Sequence, residues 1–122
     1  MKLTNNQIYN YATQLMSEFN DNSLRFPIKV NFYLQKNKST LVSLAQDIEQ
    51  ARMEIIQAYG EPTKDGFQYS IPNDKIEVAQ QELNDLFNLE QDVNIYTISI
   101  DNFSDDLVLS AGQMEALMFM ID

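Results

Sequence analysis

"FPIKVNFYLQKNKSTL", residues 26–41, fits two incompatible patterns, and the choice between them decides the fold. Ile28, Val30, Phe32 and Leu34 alternate with polar residues, as along a half-buried strand. Val30 and Leu34 also open a helical pattern that continues far downstream. Leu34, Leu41, Ile48 and Ile55 stand seven apart, and Leu44, Ala51 and Ala58 fill the three-four offsets between them. A strand would extend a small sheet and bury Phe32 beside its neighbours. A helix would run from Ile28 to Tyr59, 32 residues, or about 48 Å at 1.5 Å per residue. A compact domain of this length is roughly 35 Å across, so such a helix makes the molecule elongated or leaves an arm. Pro27 suits the first helical position, Gly60 follows as a C-cap, and Pro62 blocks continuation. We take the helix as the reading and keep a strand over 27–34 as the alternative.

The helix reading has two consequences. Phe32 falls off the apolar seam, where it should meet a neighbouring element or a partner chain, so it is a candidate partner-binding residue. Asn37 interrupts the seam with a polar group. Val42, Ala45, Met53 and Ile56 widen the apolar stripe beyond a two-stranded seam, which favours burial in a bundle or against the rest of the domain.

Upstream, Thr4 and Gln7 form a capping box, with Leu3 and Ile8 as the hydrophobic staple. Ile8, Ala12, Leu15 and Phe19 then share one helical face, and "NDNS" is a polar break. Downstream, Asp65-Gly66 predicts a turn and Phe67, Tyr69 and Ile71 a short strand. A helix follows Pro72 and Asn73, with Ile76, Ala79, Leu83, Leu86 and Phe87 inward. "DVNIYTISI" is dense in β-branched residues and reads as the clearest strand, and "LVL" at 107–109 as another. Ser110 and Gln113 form a second capping box before a final helix through Met114, Leu117, Met118 and Ile121, read chiefly as core. The expected class is α+β: an N-terminal helix plus a long helix over about 28–59, then a small sheet with two further helices. It forms one domain over 1–122, helical to about 60 and acidic α/β over about 61–122.

The charge is divided unevenly. Residues 1–75 hold all eight Lys and Arg and eight Asp and Glu. Residues 76–122 hold ten Asp and Glu and no Lys or Arg, so the net charge of -10 sits there. Such a surface repels phosphate backbones, which argues against direct nucleic-acid binding and for a protein partner with a basic surface. Glu77, Glu82, Asp85, Glu90 and Asp92 are the candidate partner-binding carboxylates. Glu82 and Asp85, one helical turn apart, can face the same way. The bland alternative is a solvated face that keeps the chain soluble.

Catalysis has little to work with. There is no His, no Cys and only three Gly, so imidazole bases, thiol nucleophiles and Gly-rich phosphate loops are all missing. No catalytic residue, metal or cofactor is expected. "DNFSDD" gathers Asp101, Asp105 and Asp106 without the calcium-loop pattern and reads as an acidic turn. No membrane span or signal peptide is expected, and a soluble intracellular protein is.

Four stretches, "FPIKVNFYLQKN", "EQARMEIIQAYGE", "QQELNDLFNLEQDVNI" and "QMEALMFMID", resemble in order and spacing a small protein family of bacteriophages and prophages of Gram-positive bacteria. The resemblance implies a phage or prophage origin and transfers no activity or site residue. With the charge division, it suggests a non-catalytic protein-binding protein of the host cytoplasm. The sharper form is an anti-CRISPR-like inhibitor of a host defence, or of another nucleic-acid-binding host protein. The alternative is a virion or tail-assembly accessory protein, with the long helix mediating homo-oligomerisation or docking.

Overall fold

The computed structural model describes residues 1–20 and 26–122, and the fold is α+β. Most of the "NDNS" break lies outside the described residues. The elements run β1 (Lys2–Thr4), α1 (Asn5–Glu18), α2 (Ile28–Tyr59), β2 (Glu61–Pro62), β3 (Tyr69–Ser70), α3 (Ile76–Asn88), β4 (Glu90–Asp92) and α4 (Ala111–Leu117). The stretch 28–34 is helix, and α2 is 32 residues long.

Local chemistry fixes the helix ends. The Thr4 hydroxyl accepts from Gln7 N at 3.1 Å, and the Gln7 amide oxygen accepts from Thr4 N at 2.9 Å. Ser110 and Gln113 repeat this box at the start of α4. Pro27 is the residue before the first helical turn of α2, one position earlier than the sequence suggested, and Asn31 N donates to its carbonyl. Gly60 N donates to Ile56 O at 2.7 Å and ends α2 with φ -94°. Its lack of a side chain matters for space rather than for handedness. A Cβ there would stand 2.7 Å from the Ile56 carbonyl oxygen. Gly66, at φ 76°, does supply a left-handed turn between β2 and β3.

The core forms where α1 packs on both α2 and α4, with the segment 93–98 joining them. Ile8, Ala12, Leu15 and Phe19 of the first helical stretch meet Val30, Leu34, Leu41 and Ile48 of α2, joined by Val93, Ile98, Leu117 and Met120. The helix α3 lies against α2 and α1, burying Ala79 and half-burying Leu83, Leu86 and Phe87. Ile76 of that expected inner face is instead exposed. Packed by α1 and α3, α2 is not a free arm. Tyr9 meets Phe87 edge-on at 6.0 Å, and Tyr11 stacks on Phe119 at 4.8 Å, so tyrosines tile the rim of the seam.

The expected small sheet content is present, among the described residues as two separate two-stranded antiparallel ladders, β1 with β4 and β2 with β3. Several expectations fail in the second half. "DVNIYTISI" forms a strand only at its first residue, Asp92, which ends β4; beyond it only an isolated bridge, Ile98 with Ile121, is strand-like. Its apolar density reflects the burial of Val93 and Ile98, not membership of a ladder. Residues 107–109 are not a strand either, and Val108 is exposed. In the C-terminal helix Leu117 and Met120 are fully buried, whereas Met114 and Met118 stand exposed. The helix after Pro72 starts regularly at Ile76, behind a 3₁₀ turn at Asn73–Lys75.

Two buried asparagines hold the halves together. Asn37, 0% exposed, lies on α2 and donates through Nδ2 to Tyr96 O at 2.9 Å, while its Oδ1 accepts from Tyr96 N at 2.8 Å. It thereby offers residue 96 what an adjacent strand would have offered. Asn5 donates to Leu86 O at 2.8 Å and accepts from Gln91 Nε2 at 2.7 Å, tying the start of α1 to the end of α3 and to β4.

Candidate functional site

Each candidate carboxylate is exposed, but they belong to two elements. Glu77, Glu82 and Asp85 lie on α3, and Glu90 and Asp92 on β4. The helix buries the Ala79 side, so at 3.6 residues per turn Glu77, Gln81 and Asp85 face outward while Glu82 lies on the flank beside α2. Glu82 and Asp85 are engaged differently. Glu82 Oε1 accepts from the Tyr59 hydroxyl of α2 at 2.7 Å, and Asp85 Oδ1 accepts from Gln81 Nε2 at 2.9 Å. The bond to Glu82 raises the Tyr59 phenol above the usual tyrosine value, because deprotonation would remove the donor.

The two carboxylates of β4 are partly answered by a cation from the other end of the chain. Lys2 stands opposite Asp92 in the ladder, with its Nζ 3.7 Å from Glu90 Oε2. Both side chains are more than half exposed, so the pair contributes little. The Met1 amino group donates to Val93 O at 2.9 Å beside them. The outward side of α3 is therefore the less compensated acidic surface.

The third acidic group lies in the loop before α4. A 3₁₀ turn at Ile100–Asn102 is capped by Ser99, whose hydroxyl accepts from Asp101 N at 3.3 Å; Ser104 does the same for Asp106 N. These serine turns explain the conformation of the loop, and Asp101, Asp105 and Asp106 all face solvent. Among the described residues no group of three or more potential metal ligands is gathered. Behind the loop a cleft of roughly 460 Å³ opens between residues 100–109 and α4, lined by Phe103, Leu107, Met114 and Ile121 among others. Sequence reasoning misses it, because it reads "LVL" as a strand and Met114 chiefly as core.

Phe32 is 55% exposed on α2. Its described ring neighbours come from its own helix: Tyr33 at 6.4 Å, with the Lys36 ammonium 5.5 Å above the ring. The expected contact with another element is not found among the described residues. Among these residues no helix is long and apolar enough to cross a membrane. No protein-family model, curated protein or solved structure matches the chain significantly.

Proposed function

We propose that this chain is a phage- or prophage-encoded, non-catalytic protein that binds a host protein through its acidic surface. The sharpest form is an inhibitor that occupies a basic, nucleic-acid-binding groove of a host defence nuclease. One observation carries the reading: residues 76–122 hold ten carboxylates and no Lys or Arg, and Glu77 and Asp85 project outward from α3. Such an array steers a basic partner and competes with phosphates for it. The test is capture from the infected host, followed by quantitative binding of Glu77→Lys/Asp85→Lys, two outward changes that spare the Tyr59 bond. Binding should weaken at least tenfold and nucleic acid should compete. Capture of chaperones alone, or binding indifferent to the reversal, would overturn the proposal.

A second reading, a virion or tail-assembly accessory protein, is favoured by the exposure of Ile28 and Phe32 on α2. Mass spectrometry of purified virions distinguishes it, since an assembly component must be present in stoichiometric amount.

A further inference from the structure

Two exposed apolar features of opposite charge adjoin on this molecule. The first is on α2. Ile28 is 89% exposed and, four residues on, Phe32 stands above it on the face opposite Val30, Leu34 and Leu41. Lys36 lies over Phe32 and Lys29 over Tyr33, within 5.5 and 5.7 Å of the ring centres. From Phe26 to Gln46 the chain carries no Asp or Glu, and Lys29 and Lys36 are the ammonium groups of this face, while Lys38 turns away and donates to Phe19 O at 3.2 Å. This is a basic apolar knob. The second feature is the cleft before α4. Ile100 and Val108, 56% and 85% exposed, belong to its wall, Asp105 is in its lining, and Asp101 and Asp106 are exposed in the same loop.

We propose that the first two turns of α2 seat in this cleft on a second copy of the chain, each copy giving its knob and receiving the other's. Charge complementarity selects the occupant, because the cleft asks for apolar side chains flanked by ammonium groups and the same chain presents them. Position allows the exchange. Phe26, two residues before Ile28, meets Phe103 of the cleft edge-on at 6.0 Å. Knob and cleft thus flank one contact, and a two-fold axis beside it brings each knob to the opposite cleft. With a net charge of -10 the copies repel at long range. Association then depends on apolar burial for its strength and on the local lysine–aspartate pairing for its orientation.

The test is sedimentation equilibrium of the full chain over a concentration series, with circular dichroism to establish that each variant folds. The wild type should approach twice the chain mass. Phe32→Ser should weaken association about tenfold or more, as loss of a buried aromatic requires. Lys29→Glu/Lys36→Glu, and separately Asp101→Lys/Asp105→Lys/Asp106→Lys, should each remain monomeric. Mixing these two variants should restore a dimer, because every knob then meets a cleft of opposite charge. A wild type monomeric at its highest soluble concentration overturns the proposal, as does a dimer that survives in both variants. A folded pair that fails to associate on mixing also overturns it. If a synthetic basic amphipathic peptide fills the cleft while the chain itself stays monomeric, a second copy is not the occupant. Glu77→Lys/Asp85→Lys should leave dimerisation unchanged, so this proposal and host-protein binding fail independently.

Discussion

Replacing Asn37 by Leu separates two views of α2. If Asn37 is merely a polar fault in an apolar seam, Leu completes the repeat and stabilises the protein. The geometry says the opposite. Asn37 is fully buried, and its amide makes a reciprocal pair of bonds to Tyr96 N and O. Leu would leave both backbone groups without that partner, at about 1–3 kcal/mol for each group deprived of water. Tyr96 is partly exposed, so the lower half of that range applies, giving about 3 kcal/mol for the two. Burying a Leu side chain returns about 1.5 kcal/mol, if it fits beside Met120, whose sulfur lies 3.5 Å from Nδ2. The net expectation is a loss of about 1.5 kcal/mol, a substantial share of the 5–15 kcal/mol typical of a domain. With a urea slope of about 1–3 kcal/mol/M, the unfolding midpoint should fall by about 1 M. Hydrogen exchange supplies the second readout: the Tyr96 amide should lose protection more than its neighbours. An unchanged or higher midpoint, with Tyr96 protection intact, would refute the claim that a side chain substitutes here for a strand.

Thr4→Ala and Ser110→Ala should each cost about 1 kcal/mol in urea unfolding, since each removes a side-chain acceptor from a capping box. Arg52 bonds Glu49 through Nε at 3.0 Å and Nη2 at 2.7 Å and holds its carboxyl below the usual carboxylate range. Because the folded value is depressed, this stabilisation is present above the unfolded value of about 4.5 and disappears as pH falls through the lower folded value. Both side chains are more than a third exposed, so the effect should stay below about 1 kcal/mol, and Glu49→Gln should remove that part of the acid slope. The Tyr59 phenol is shifted the other way, so its contribution persists at neutral pH and vanishes only as alkaline pH passes the raised folded value. Ultraviolet titration should show one tyrosine returning toward its ordinary value in Glu82→Gln; an unchanged curve would sink that assignment.

The parts of this fold that were legible in the sequence are those encoded within a few residues. Both capping boxes, the stop at Gly60 and the long repeat of α2 depend on local spacing, and the structure places them within a residue of where they were read. The failures share one physical cause: a sequence reports which side chains prefer burial better than it reports which backbone groups will be paired. "DVNIYTISI" is dense in β-branched and aromatic residues because Val93 and Ile98 are buried and Ile95 partly so, yet past β4 only Ile98 takes part in a bridge. The groups of residue 96 are met instead by a side chain 59 positions away. Likewise β1 pairs with β4 across almost the whole chain, and Lys2–Thr4 had no local mark beyond the capping box they run into.

The same distinction governs the candidate surfaces. Net charge is a sum over sequence and could be read directly, so the acidic half was visible. Which carboxylates remain available could not be read, because it depends on partners brought in by folding: Tyr59 for Glu82 and Lys2 for Glu90. On α3 that leaves Glu77 and Asp85 as the outward members of the set. The cleft was hidden for the converse reason. Val108 and Met114 carry the side chains of core residues, and in a chain with so few glycines and no disulfide, apolar residues are normally needed inside. Ile28, Phe32, Val108 and Met118 together leave much apolar surface on a chain that could have placed polar groups there at no cost to its core. Single exposed hydrophobes need no explanation. An adjoining pair of apolar features, one flanked by lysines and the other by aspartates, has the arrangement of a surface selected to be covered. Charge reversal and re-pairing of those two groups therefore tests the shape and chemistry of the cover directly.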